Sequence, residues 1–215
     1  MICVHLNTGR DLGYSSADRS ARGVTMAKPV AMRGFARERV LEAALELFSD
    51  HGVSGTSLQM IADRLGVTKA AVYYQFHSKD DIALAVVKPV FDDIEHLLRI
   101  ADTLPTTETR RSVTMGGMVE LIIRHRRISS VFYGDPTVHH LLEGTDEFRV
   151  VGERLADVLL GPDPDNATRV AISMFSAGVH GCVTDPMISE LDDAELQEIL
   201  LDLTKKFLEV CVPSC

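Results

Sequence analysis

Three residues, Leu65-Gly66-Val67, separate two short amphipathic segments, and this connection restricts the fold more than any other part of the chain. The segment before it turns Met60, Ile61, Ala62 and Leu65 to one side. The segment after it places Val72 and Phe76 at helical spacing. Two helices joined this closely must meet at a corner, and Gly66 can take the positive φ that such a corner often needs. Thr56-Ser57 and Thr68 supply N-caps at the two starts. Upstream, Val40, Leu41, Ala44, Leu45 and Phe48 line one face of a helix over residues 37–48, which Asp50-His51-Gly52 stops. The stretch from Phe35 to Val86 is predicted to be three packed helices with a helix-turn-helix corner.

With Val72 and Phe76 assigned to the core, the residues left to face outward are Gln59, Thr68, Lys69, Ala70, Ala71, Tyr73, Tyr74 and Gln75. A helix this short, carrying a cation, two phenols and an amide on its free side, suits a DNA major groove. The sequence ERVLEAALELF, the Thr56-Ser57 cap, IADRLGV, AVYYQF and Ser78-Lys79 together resemble the DNA-binding domain of the tetracycline-repressor (TetR) family of bacterial transcription regulators. The resemblance covers residues 35–86.

The resemblance implies a role for each matching position. Lys69 meets a guanine edge, where a cation finds the O6 and N7 acceptors. Ala70 and Ala71 face bases, with methyls able to read shape or a thymine methyl. Tyr73 and Tyr74 are the paired aromatics whose hydroxyls suit phosphate. Thr56 or Ser57, at the N-terminus of its helix, offers backbone N–H groups to another phosphate. Lys79 adds a phosphate contact and couples the fourth helix to DNA. Gln75 stands where the family often has His, and His77 where Pro or Lys is common, so the operator sequence stays open.

Bulk charge argues against general nucleic-acid binding, with 31 acidic residues, 22 basic ones and a net charge of −9. Residues 33–81 are not basic either: Arg33, Arg37, Arg39, Arg64, Lys69 and Lys79 face Glu38, Glu42, Glu46, Asp50, Asp63, Asp80 and Asp81. Local placement resolves this, with Lys69 and Lys79 toward the groove and acids such as Glu42 and Glu46 away from it. Specific, salt-sensitive binding is expected, not coating of DNA.

The expected architecture is all-α. An extension over residues 1–32, read as a flexible arm or a mis-assigned start, precedes a helix-turn-helix DNA-binding domain over 33–80. A larger helical effector-binding and dimerisation domain follows over 81–215. Its helices are predicted at about 78–101, with a kink at Pro89, then 108–125, 128–133, 145–160, 166–183 and 192–210. No run of 18 uncharged apolar residues occurs, so no membrane span is expected, and the location is expected to be cytoplasmic. Cys3, Cys182, Cys211 and Cys215 are scattered and show no zinc spacing.

The last two helices are the expected homodimer interface. Ala171, Ser173, Ser176, Ala177, Gly178 and Gly181 give one a small-residue surface, and Leu196, Ile199, Leu200, Leu203, Phe207 and Leu208 give the other an apolar stripe. Such a pair from each subunit makes a four-helix bundle, the family's usual arrangement. An apolar chamber for an unknown small-molecule effector is expected around Met115, Met118, Ile122, Phe132, Phe175 and His180, mainly on the strength of the resemblance. Leu121, Tyr133, Phe148 and Met174 are further candidates. Gly116-Gly117 marks either open space or close helix packing.

His125, His139, His140 and His180 are of the type that binds a divalent ion, but no HxxxH or HExxH spacing occurs, so no metal site is assigned. No GxSxG, phosphate loop or Cys/His nucleophile is present, so neither an enzyme nor a cofactor is expected. The expected function is a repressor that binds a double-stranded, palindromic DNA operator as a dimer and leaves it when an effector binds. A metal-ion-sensing regulator is the nearer alternative, and a metal-dependent hydrolase the one from a different class.

Overall fold

The computed structural model describes residues 30–133, 135–188 and 190–211, all helix and connection with no strand among them. The expected extension over 1–32, except its last three residues, and Cys3 and Cys215 lie outside these residues. Cys182, half-buried, is a free thiol. No helix of the described residues is long and apolar enough to cross a membrane.

The head of the molecule holds three helices: α1 (Val30–Gly55), α2 (Leu58–Leu65) and α3 (Lys69–Gln75). The stop read at Gly52 appears as a kink, with φ 70° and ψ 167°, after which the last residues of α1 turn away. Thr56 is only 3% exposed, and its hydroxyl donates to the carbonyls of Leu47 and Gly52, pinning that kink. Ser57 caps α2 by accepting from the Met60 N–H, and Gly66 ends it with φ 65°. Thr68 caps α3 by accepting from the Ala71 N–H.

Helix α4 (Lys79–Asp102) starts with a reciprocal capping box between Ser78 and Asp81. It continues through Pro89 as one helix, so the proline divides no element here. Then come α5 (Thr107–Arg124), α6 (Arg126–Phe132), α7 (Pro136–Glu143), α8 (Asp146–Leu160), α9 (Asn166–Thr184) and α10 (Asp193–Cys211). Helix α7 has no counterpart among the helices expected from the sequence, which leave residues 134–144 unassigned. Asp135 caps α7 by accepting from the Thr137 and Val138 N–H groups, and Pro136 fills the first turn, where its missing N–H does no harm.

The head's core does not stop at residue 80. Ala44, Phe48, Val53, Ile61, Ala62, Val72 and Phe76 pack with Ile82, Ala83, Val86 and Val87 of α4 and with Phe132, Val138 and Phe148. Phe48 and Phe132 meet edge to face at 5.8 Å, which docks α6 on α1. A second core joins α5, α9 and α10 through Val119, Ile122, Ile123, Val179, Val183, Leu196 and Leu200. A third joins α4, α5 and α8 through Ile94, Leu98, Leu121 and Val151.

Close packing, not space, explains Gly117. A Cβ there would lie 2.5 Å from Leu97 Cδ1, whereas one at Gly116 would meet Leu201 Cδ2 at an ordinary 3.6 Å. Arg111 of α5 ends α8: its Nε donates to the Leu159 carbonyl at 2.6 Å and its Nη2 to that of Leu160 at 2.7 Å. Asp93 of α4 lies 2.8 Å from His125 Nε2. That hydrogen bond holds the Asp93 carboxyl below its ordinary range.

Candidate nucleic-acid interface and effector chamber

Helix α3 is fixed from below and free above. Val72 and Phe76 are buried, while Thr68, Lys69, Ala70, Ala71, Tyr73 and Tyr74 all face solvent. Tyr74 is 74% exposed and Tyr73 51%, so neither belongs to the core. The Tyr73 ring meets His77 edge to face at 5.2 Å. Gln75 is half-buried, and Gln59 is exposed on α2 with its amide donating to Asp63 at 2.7 Å. The exposed members lie on a short helix anchored from one side, the kind of element that enters a major groove.

Two of the expected phosphate ligands are engaged elsewhere. Thr56 is turned inward, so at the start of α2 the exposed hydroxyl is that of Ser57. Lys79 Nζ donates to the carbonyls of Val53 and Ser54, each at 3.0 Å, and satisfies groups left over at the end of α1. The acids expected to lie away from the groove are paired with arginines outside α3. Glu46 and Asp50 hold Arg64 at 2.6 and 3.7 Å, and Glu42 holds Arg127 of α6 at 2.9 Å. These acids are thereby spent away from α3.

The expected effector residues do not share one chamber. Met115 is buried with Ala171 and Ile172, against Phe175. Met118 and Phe175 also border the core that contains Ile122. Phe132 instead belongs to the head's core, because α6 leans on α1. Tyr133 and Met174 point outward. His180 stacks on Tyr133 with ring centroids 3.8 Å apart, and its Nδ1 donates to the Ser176 carbonyl at 2.9 Å. Burial pushes its imidazole below the ordinary range. A cleft of about 280 Å³ opens where α1 meets α6, lined by Leu45, Glu46, Ser49, Asp50, Arg64 and Arg127, among others. None of the six expected effector residues borders it. Among the described residues one buried polar atom is without a partner: the Thr114 hydroxyl on α5.

Among the described residues no three His, Cys, Asp or Glu side chains converge as a metal site would require. His139 lies 3.3 Å from Glu143 on the surface of α7, and the neighbouring His140 is exposed.

Comparison with known proteins agrees with this geometry. Residues 40–86 match the family model of bacterial regulatory proteins, tetR family. The chain is 29% identical to ArpR of Pseudomonas putida over 129 residues, which cover 58% of this chain and 59% of that protein. It is 28% identical to the HTH-type transcriptional regulator TtgR, also of Pseudomonas putida, over 163 residues, covering 65% and 75%. The chain thus spans less than two thirds of ArpR and three quarters of TtgR. Among solved structures, NalD, the secondary repressor of the MexAB-OprM multidrug efflux pump in Pseudomonas aeruginosa, superposes with a TM-score of 0.61 at 24% identity. That match covers 82% of this chain and 97% of that one, and shows a shared fold.

Proposed function

We propose that this chain, whose residues 40–86 match the tetR family of bacterial regulatory proteins, is a DNA-binding transcriptional regulator of that family and not an enzyme, and that it represses transcription as an effector-released homodimer in the cytoplasm. The observation that carries this reading is α3 itself, anchored through Val72 and Phe76 and presenting Lys69, Tyr73 and Tyr74 to solvent. Residues 33–80 act as the reading domain, and 81–215 bind the effector and the partner subunit.

Lys69, Ala70 and Ala71 read base edges, while Ser57, Thr68, Tyr73 and Tyr74 bind backbone phosphates around them. Gln59 and Gln75 border the same surface. Lys79 serves the interface indirectly by fixing the end of α1 to the start of α4. Two such heads reach successive major grooves of a palindromic site about 34–36 Å apart.

The dimer surface is supported by what α9 and α10 leave uncovered. Met174 is 65% exposed and Leu203 52%, and Val170, Ile199 and Val210 are exposed as well. A Cβ at Gly178 or Gly181 would meet nothing within 4 Å, so a partner helix finds room there. Leu196 and Leu200, by contrast, serve the subunit's own core.

An apolar effector lodges among α5, α9 and α10, where Met115, Met118, Ile122 and Phe175 gather. Phe132 and His180 respond from the flank. Release follows if the effector favours a state in which α4 and α6 carry the head to a different position. Turning a 1:99 population into 99:1 requires roughly 10⁴-fold preference for that state.

The test is an anisotropy titration of the purified protein against DNA flanking its own gene, followed by genome-wide selection of bound fragments. Specific binding that weakens steeply with salt and falls on Lys69→Ala supports the reading. Failure to select any specific fragment, or binding that Lys69→Ala leaves intact, defeats it.

A further inference from the structure

Arg37, on α1, is not among the positions that the helix-turn-helix pattern assigns to DNA. Its side chain is exposed, and its guanidinium carbon stands 4.6 Å from the centroid of the Phe76 ring. Phe76 closes α3, its N–H donating to the Val72 carbonyl at 3.0 Å, and is itself buried. The guanidinium is therefore seated on a rigid platform at the C-terminal end of the reading helix, the end that also carries Tyr73 and His77.

Among the described side chains, the cations of the head sort into two groups. Arg64 is held by Glu46 and Asp50, and Lys79 by two carbonyls. Among the described residues Arg37, Arg39 and Lys69 have no carboxylate partner. Of these three Arg37 is the one an aromatic face holds in place. A guanidinium held this way loses less freedom on binding than a free arginine does. Its position also matters electrostatically. The C-terminus of a helix carries partial negative charge, which repels the DNA backbone along the wall of the groove. A fixed cation at that end offsets the repulsion.

We propose that Arg37 is a DNA-contact residue that binds a backbone phosphate beside the C-terminal end of α3, with the Phe76 ring as its platform. This rests on the reading of α3 as the DNA-reading helix. As a phosphate ligand, Arg37 adds affinity and fixes orientation without selecting sequence. The bland competitor is that Arg37 only covers the Phe76 ring.

The experiment compares Arg37→Gln, Arg37→Lys and Lys69→Ala on a fragment that the wild-type protein binds and on unrelated DNA, over a range of salt. Arg37→Gln keeps a planar group over the ring and removes the charge. Its Kd is expected to rise about fivefold per subunit at 0.15 M salt, the factor given by losing one phosphate contact at about 0.9 counterion each. The rise is the same on both DNAs, and the salt slope falls by about one per subunit. Arg37→Lys keeps the slope, and bound DNA protects its new amine from acetylation, a readout that does not depend on Arg37→Gln folding. Wild-type affinity and slope for Arg37→Gln, or an unprotected amine, beside a weakened Lys69→Ala would overturn the proposal alone. Wild-type binding by Lys69→Ala and Arg37→Gln together would remove the reading beneath it as well.

Discussion

Glycine 117 and threonine 114, one turn apart on α5, show how single side chains set the tolerance of this chain to change. Adding a methyl at Gly117 drives a carbon to within 2.5 Å of Leu97, whereas the same methyl at Gly116 reaches only ordinary contact with Leu201. The clash is with the outer carbons of the half-buried Leu97, whose displacement offsets part of the roughly 1 kcal/mol that replacing a helical glycine with alanine gains. Urea denaturation should therefore show Gly116→Ala gaining up to about 1 kcal/mol and Gly117→Ala gaining less or losing stability. Equal shifts would mean that Leu97 is free to move aside. The Thr114 hydroxyl is fully buried without a hydrogen bond. Thr114→Val keeps the shape and removes the stranded polar group, so it should raise stability by about 1–2 kcal/mol in the same assay. A loss would show that the hydroxyl has a partner in solution.

At the scale of elements, ends and crossings carry the argument. Arg111 reaches from α5 to the last carbonyls of α8, and Gly161, with φ 81°, turns the chain beside it. Arg111→Met keeps much of the stem and removes both charged hydrogen bonds, so a loss of about 2–3 kcal/mol is expected from thermal unfolding. The His180–Tyr133 stack ties the end of α6 to α9. Because burial lowers the His180 pKa, folding favours the neutral ring. That contribution is complete above the unfolded value of about 6.5 and is lost as pH falls through the lower, folded value. The wild-type melting temperature should therefore drop between pH 7 and pH 5 more than that of His180→Phe, and parallel curves would refute this. Elements whose signals are local were legible in the sequence. The Ser57 and Thr68 caps, Gly66 and the Ser78 start all lie where the residue types put them. Helix α7 is also written locally, as Asp135-Pro136, a cap followed by a first-turn proline, although a proline after a short helix equally marks a break. The inward turn of Thr56 and the engagement of Lys79 were not legible, because both depend on where α1 kinks.

The molecule as a whole combines a readable head with a body whose packing is set by helix crossings. Met115, Met118, Ile122, Phe132, Phe175 and His180 are apolar or amphipathic in the sequence, yet which of them meet depends on α6 lying against α1. Sequence periodicity identifies the inward face of a helix but not the helix it meets. The surface left open by α9 and α10 gives a prediction at this scale. Light scattering should give twice the 23.6 kDa chain mass, and Leu203→Glu, on an exposed position, should return the single mass and abolish tight operator binding. A wild-type monomer, or a dimer indifferent to Leu203→Glu and Met174→Glu, would place the partner elsewhere. The Lys79 clasp on the carbonyls of Val53 and Ser54 has a consequence for modular engineering. A recognition cassette moved from this chain into another regulator at residue 80 would be cut one residue after its clasp and would leave Ile82, Ala83, Val86 and Val87 behind in the donor. A splice placed beyond Val87 transplants the cassette with its own floor.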